Sequence, residues 1–394
     1  MARSFVLPPT DTVTFGPGAI DTIGDAVDHV GGTRAIAIVS SSLAGGPVEE
    51  TLRERLGPRL AAVFAKTGQH VPRSSVLEAL ALARSSGADC VVSLGGGTPV
   101  DCAKAVALGL ATGVTEPADF ERHRVRFTYP DTYEIPPLEG DVVPHIAIPT
   151  TLSGGEHTGL CGVTDETTHE KQSFKNRKLQ PAMVVLDPWV SAGTPGWLWA
   201  ASGLRAVDHA VERILSTQHL AITDALSVSA LQLLSANLAV SARRPDDAEA
   251  RTRCFLGAWM SIFSAANVGV GLSHGIGHQL AATFDLVHGD TSAIMLPRVM
   301  DFVRGQTAPR QRIVAEALGV DTRGLDDDHA ARSASDAVRA LVRSCGLPER
   351  ISARASRAEL LAGIADRIMR DPAVATCPRE VTRADVVELL RAAW

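Results

Sequence analysis

In the first half of the chain, apolar residues fall into short continuous runs separated by stretches with helical spacing. Ala35-Ile-Ala-Ile-Val39, Leu60-Ala-Ala-Val-Phe64, Cys90-Val-Val-Ser-Leu94, His145-Ile-Ala-Ile148 and Met183-Val-Val-Leu186 read as strands, the first of them apolar on both faces as buried parallel strands are. Thr12-Val-Thr-Phe15 leads into the turn Gly16-Pro17-Gly18, after which Ile20, Ile23, Ala26 and Val27 recur at helical spacing. Residues 48–56 form a second helical stretch, and Ser75-x-x-Glu78 reads as a capping box opening a helix over 76–84 that stops near Gly87. From Asp119 to Glu139, a stretch with Arg122, His123, Arg124, Arg126 and Tyr129, no period is evident, which predicts a surface excursion. Beyond Pro195 the spacing turns to 3.6. Leu204, Val207, Val211 and Leu215 mark one helix, and Ile222, Leu226, Leu233 and Leu234 another. A third starts at Pro245-Asp-Asp and is interrupted by Gly269 and Gly271, and residues 311–394 stay helical, with Thr382-x-x-Asp385 opening the last helix. The pattern predicts an α/β fold: a Rossmann-like parallel-sheet domain over residues 1–188 that binds a dinucleotide, followed by an all-α domain over 189–394.

Size and charge narrow the function. A chain of 394 residues that is 45% hydrophobic has ample core for two domains. The net charge of -6 and the scattered Lys and Arg leave no footprint for nucleic acid and no polybasic membrane patch, so the expected partner is a small molecule. Cys90, Cys102, Cys161, Cys254, Cys345 and Cys377 are widely separated, with no Cys-x-x-Cys pair, and read as small hydrophobes in a reducing compartment. Prolines interrupt the N-terminus too early for a signal segment, and no apolar run approaches a membrane span, so the expected location is the cytoplasm.

Two stretches carry candidate chemistry. The strand ending at Leu94 runs into Gly95-Gly-Gly-Thr-Pro-Val-Asp101-Cys-Ala-Lys104, where a triple glycine before a helix lets backbone N–H groups face a pyrophosphate without a side chain intervening. Hydroxyls and glycines follow the next strand as well, in Pro149-Thr-Thr-Leu-Ser-Gly-Gly-Glu156. In the second half, Gly271-Leu-Ser-His-Gly-Ile-Gly-His278 and Asp285-Leu-Val-His288 place three histidines within fifteen residues. On a helix, His274 and His278 share one face, one turn apart. Spacing alone is compatible with a metal site.

Taken together, these motifs resemble the iron-containing alcohol dehydrogenase family, whose fold is like that of dehydroquinate synthase. The match spans nearly the whole chain, through Thr14-Phe-Gly-Pro-Gly18, Gly95 to Lys104, Pro149-Thr-Thr151, Leu186-Asp-Pro188, Gly203 to Glu212, Gly271 to His288 and Pro378-Arg-Glu-Val-Thr382. The resemblance implies a nicotinamide dinucleotide held by Gly95, Gly96, Gly97, Thr98 and Asp101, with Thr150, Thr151 and Lys171 also near it. It implies that His209, His274 and His288 match metal-ligand positions and that His278 matches the histidine beside the nicotinamide. The remaining ligand position, an Asp in metal-dependent members, is Arg205 here, and a guanidinium cannot ligate a divalent ion. Within the family the chain looks most like maleylacetate reductases, which work without metal and reduce an unsaturated oxo-dicarboxylate with NADH or NADPH. It departs from them at Arg205 and in the excursion from Asp119 to Glu139. The expectation is therefore a metal-independent, cytoplasmic, homodimeric oxidoreductase acting on a carboxylate. Arg205, with one or more of His209, His274 and His288, would serve as electrophile or carboxylate clamp, and His278 would orient the nicotinamide or relay a proton. Ser40-Ser-Ser42 stands where an acid commonly selects NAD, so NADPH is admissible beside NADH. The competing readings are a metal-dependent alcohol or aldehyde oxidoreductase, a non-redox lyase or cyclase of the same fold, and a non-catalytic dinucleotide-binding protein.

Overall fold

The computed structural model describes residues 4–128 and 132–394; Tyr129 of the excursion and the first three residues lie outside them. The described chain divides into two compact units, one formed by Leu7–Phe127 and Tyr133–Gly193, the other by Thr194–Trp394 with the N-terminal residues up to Val6.

In the first unit, six strands form one parallel sheet: β1 (Thr12–Phe15), β2 (Ala35–Val39), β3 (Leu60–Phe64), β4 (Cys90–Gly95), β7 (His145–Pro149) and β10 (Met183–Leu186), in the order β1-β10-β7-β4-β2-β3. The apolar runs are buried along their length in β2, β4, β7 and β10 because helices cover both faces. Those helices are α1 (Ile23–His29), α2 (Pro47–Leu56), α3 (Arg73–Ser85) and α4 (Gly97–Thr112), with the one-turn α5 (Pro188–Ser191) closing the unit. The chain leaves β2 toward β3 on one side and returns as β4 on the other, so the carboxyl ends of β2 and β4 border a topological switch point.

Three local expectations are corrected. The helix expected from Ser75 begins at Arg73 after Pro72, and the Ser75 hydroxyl instead accepts the Gly68 N–H at 3.2 Å. The excursion contains a 3-10 turn over Pro117–Arg122 and a two-stranded sheet of β5 (Arg126–Thr128) and β6 (Thr132–Glu134). A further antiparallel hairpin, β8 (Leu160–Asp165) and β9 (Glu170–Lys175), carries Lys171; its polar face hid its alternation.

The second unit is helical: α6 (Gly196–Leu215), α7 (Ala221–Arg243), α8 (Ala248–Ile262), α9 (Leu272–Phe284), α10 (His288–Ala317), α11 (Asp327–Ser344), α12 (Leu361–Ile368), α13 (Pro372–Ala375) and α14 (Arg383–Ala393). Thr382 and Asp385 form the expected capping box at the start of α14. His288 opens the first turn of the 30-residue α10. By length and composition α7 is apolar enough to cross a membrane, which the sequence reading did not anticipate; it packs on α6 and α8.

Candidate active site

At the switch point of the first unit, the backbone itself builds a cradle. Gly95 has φ +140°, and a Cβ there would lie 2.7 Å from both Pro99 Cγ and Ser40 Cβ, so only glycine lets the ends of β2 and β4 close together. Gly96 caps α4 with extended backbone, and Gly97 and Thr98 form its first turn, with N–H groups that have no partner within the helix. The Thr150 N–H donates to the Gly95 carbonyl at 2.9 Å, tying the next loop to the cradle. Thr151 packs on Gly96, its Cγ2 standing 3.2 Å from where a Cβ would be. The Asp101 Oδ2 accepts the Gly162 N–H at 3.1 Å and stands 4.0 Å from Lys171 Nζ. Burial is the largest influence on that carboxyl and pushes it up, against the pull of Lys104 and Lys171. The structure therefore brings Ser40, Gly95, Gly96, Gly97, Thr98, Thr150 and Thr151 to one edge of the sheet, whereas Asp101 and Lys171 pair on the β8–β9 side.

In the second unit, α6, α9 and α10 bring the histidines together. The His209 and His274 rings stack with centroids 4.9 Å apart, His274 and His278 lie 6.4 Å apart, and His278 and His288 lie 6.0 Å apart. Behind His274 stand two carboxylates, Glu212 and Asp208. Glu212 accepts the N–H groups of Gly271 and Ser273 at 2.6 and 2.7 Å, and its Oε2 faces His274 Nδ1 at 2.6 Å. Asp208 accepts hydroxyls from Ser273 and Ser292 at 2.9 and 2.6 Å. A carboxylate only accepts, so Nδ1 of His274 carries a proton and Nε2 points away as the open atom. Burial would raise the Asp208 carboxyl, but the imidazole of His274, Arg205 and the hydroxyl of Ser292 hold it below the ordinary range. His209 is pushed well below its ordinary value, first by burial and then by His274 and the guanidinium groups of Arg213 and Arg205, so it is neutral.

Arg205 projects from α6 one turn before His209. Among the described residues its one hydrogen bond runs from Nη1 to Ser292 Oγ at 3.4 Å, a long contact. Burial lowers its pKa, opposed by the carboxylates of Asp208, Glu212 and Asp371. His278 meets Asp371, whose Oδ2 lies 2.9 Å from Nδ1.

Among the described residues His274 Nε2, His209 Nδ1 and Asp208 Oδ1 are buried without a hydrogen-bond partner, as ligand atoms would be. Yet the position that should supply the anion supplies a guanidinium. A second group must be added to the expectation of no metal-ligating residues: Asp208, Glu212 and His274 bring one ligand atom each within 4.8 Å of one another. Most of those atoms already accept backbone or hydroxyl hydrogens, which makes the two carboxylates better suited to orienting His274 than to holding an ion. Arg205 stands against a divalent ion here, while the unpartnered His209 and His274 nitrogens and the Asp208, Glu212 and His274 group offer donors to one.

A glycine cradle at a parallel-sheet switch point and a separate helical unit dense in histidine define a dinucleotide-dependent oxidoreductase. The chain belongs to the iron-containing alcohol dehydrogenase family: sequence profiles described as "Iron-containing alcohol dehydrogenase" and "Fe-containing alcohol dehydrogenase family, C-terminal" match residues 9–188 and 199–394. It is 30% identical to lactaldehyde reductase of Escherichia coli over 397 aligned positions, covering 100% of both chains. It is also 30% identical to maleylacetate reductase of Sphingobium indicum, over 78% of this chain and 77% of that one. Its fold is shared with a crystal structure of 1,3-propanediol oxidoreductase at TM-score 0.90 and 24% identity, covering 100% of both.

Proposed function

We propose that this protein is a metal-independent NAD(P)H-dependent reductase of an unsaturated or oxo carboxylic acid, similar in activity to maleylacetate reductases. The observation that carries the reading is Arg205, a half-buried guanidinium whose donors are almost all unengaged by the protein, beside the neutral imidazole of His209. A planar fork of this kind binds a carboxylate through two parallel hydrogen bonds. Whether hydride is added to a carbonyl carbon or to the far carbon of a conjugated alkene, negative charge collects on the substrate oxygen. Arg205 and the open nitrogens of His209 and His274 are placed to stabilise it. The cradle of Ser40, Gly95, Gly96, Gly97, Thr98, Thr150 and Thr151 holds the dinucleotide, and with no acid among Ser40, Ser41 and Ser42 a 2'-phosphate meets no repulsion. The uniformly free cysteines suit the cytoplasm, and we take the active form to be a homodimer.

A second reading rests on the unpartnered nitrogens of His209 and His274 and on the Asp208, Glu212 and His274 group: a metal-dependent alcohol or aldehyde reductase. One experiment separates the two. Protein stripped with a chelator and assayed for metal content is offered NADH with an unsaturated oxo-dicarboxylate or with a neutral aldehyde of similar size. Full turnover of the acid by stripped protein supports the proposal. A rate that returns only with stoichiometric iron or zinc, or a preference for the neutral aldehyde, overturns it.

A further inference from the structure

His278 is bonded to a residue 93 positions away, in a segment that no motif singled out. Asp371 is buried, and each of its oxygens meets a different N–H group. Oδ1 accepts the Ala373 N–H at 2.9 Å as the cap of α13, and Oδ2 accepts from Nδ1 of His278 at 2.9 Å. Gly275, one turn before His278 on α9, lies against the same segment: a Cβ there would stand 3.2 Å from Val374 Cγ2 and in ordinary contact, at 3.5 Å, with Asp371 Oδ1. The carboxylate is thus held in place by the chain that follows it and in turn holds the ring. With Nδ1 turned to Asp371, Nε2 is the ring nitrogen left for another partner, on a side chain that is 40% accessible.

We propose that Asp371 is a positioning residue: it fixes the Nδ1–H tautomer of His278 and leaves Nε2 as the atom that exchanges a proton with the substrate. The inference rests on the reductase reading above. In that reaction the hydride leaves C4 of the dihydronicotinamide and forms a C–H bond with the substrate. The π pair shifts to the substrate oxygen, which takes the proton from Nε2 of a protonated His278. The ring is left neutral, its Nδ1–H still on Asp371, and the dinucleotide is left oxidised. In the reverse direction Nε2 accepts the proton, and the carboxylate stabilises the imidazolium that forms.

Asp371→Asn tests this because an amide has one accepting and one donating end. If its oxygen keeps the α13 cap on the Ala373 N–H, its NH2 faces Nδ1 and forces the proton onto Nε2. Asparagine caps a helix about as well as aspartate, so the fold is retained. Nitrogen-15 NMR of histidine-labelled enzyme, with His278→Gln to assign the signal, reads the tautomer directly. Wild type is expected to show Nδ1–H at His278 and D371N to show Nε2–H. With the same acid, kcat of D371N should fall about 100-fold or more, with KM for NADH unchanged. An Nε2–H tautomer in the wild type, or a D371N enzyme with wild-type tautomer and kcat, overturns the proposal. Should wild type reduce none of the acids, the reductase reading fails by itself, and the tautomer comparison still decides whether Asp371 positions His278.

Discussion

Arg205 shows how a single side chain redirects a site. It lies one helical turn before His209, at the position where the family resemblance implies an anionic ligand, and its positive charge opposes an ion at contact distance. Two substitutions follow from this charge. On the reductase reading proposed above, Arg205→Ala should lower kcat/KM for an oxo-acid substrate by about 100-fold or more while leaving NADH affinity unchanged, since removal of one donor to a developing oxyanion has that scale of effect. Steady-state kinetics with both substrates varied checks it. Arg205→Asp should turn the same histidines toward metal: purified variant, dialysed against zinc, is expected to retain about one ion per chain, and wild type far less. In the other unit Gly95→Ala should abolish tight dinucleotide binding, because both the φ of +140° and the 2.7 Å approach to Ser40 and Pro99 forbid a methyl group. Fluorescence titration with NADH reads the loss.

At the level of elements, the histidine cluster exists because helices approach closely. Gly289, next to His288 in the first turn of α10, lies so near the backbone of Ala201 in α6 that any Cβ would overlap its carbonyl oxygen. Gly289→Ala has to push α10 off α6, and a forced backbone shift of this kind costs about 1–3 kcal/mol. A lowered urea midpoint together with lost turnover would show both effects. The strands of the parallel sheet were legible because each is a compact apolar run, and the pairing of His274 with His278 because four residues make one helical turn. What escaped is equally physical. The β8–β9 hairpin shows little hydrophobic alternation, because β9 exposes Glu170, Lys171, Ser173 and Lys175 and buries the polar Gln172 beside Phe174, and Ser75 imitates a capping box while its hydroxyl serves Gly68. Asp208 falls outside the ligand pattern because it points about 100° around the helix from its neighbour His209. That same direction aims it at Ser273 and His274 on α9, a contact only the packing discloses. Asp371 carries no local signal at all, because its partner is 93 residues away.

Across the whole molecule, pH acts on buried groups of opposite kinds that lie in the sheet unit. His145 and His157 are held down to about 3, by burial first and then by the Lys104 ammonium. The unfolded chain takes up those protons near the ordinary histidine value and the folded chain refuses them, so stability is present above about pH 6.5 and is lost as pH falls toward 3. Glu156 behaves in the opposite sense. Burial raises it to about 7, although Lys104 and its own backbone N–H pull it down, and among the described residues neither carboxyl oxygen has a hydrogen-bond partner. Here the folded chain keeps a proton that the unfolded chain releases at the ordinary carboxylate value of about 4.5. Stability therefore declines as pH rises from about 4.5 to 7 and then levels off, a change worth about 3 kcal/mol. Glu156→Gln removes only this second dependence. Compared with wild type in urea melts, the variant should gain nothing with pH below about 4.5, gain progressively up to pH 7, and hold a constant advantage above it, whatever fixed offset the amide introduces. A stability difference between the two proteins that stays flat from pH 4.5 to 8 would show that Glu156 is ionised in the folded state throughout, with Lys104 overcoming its burial.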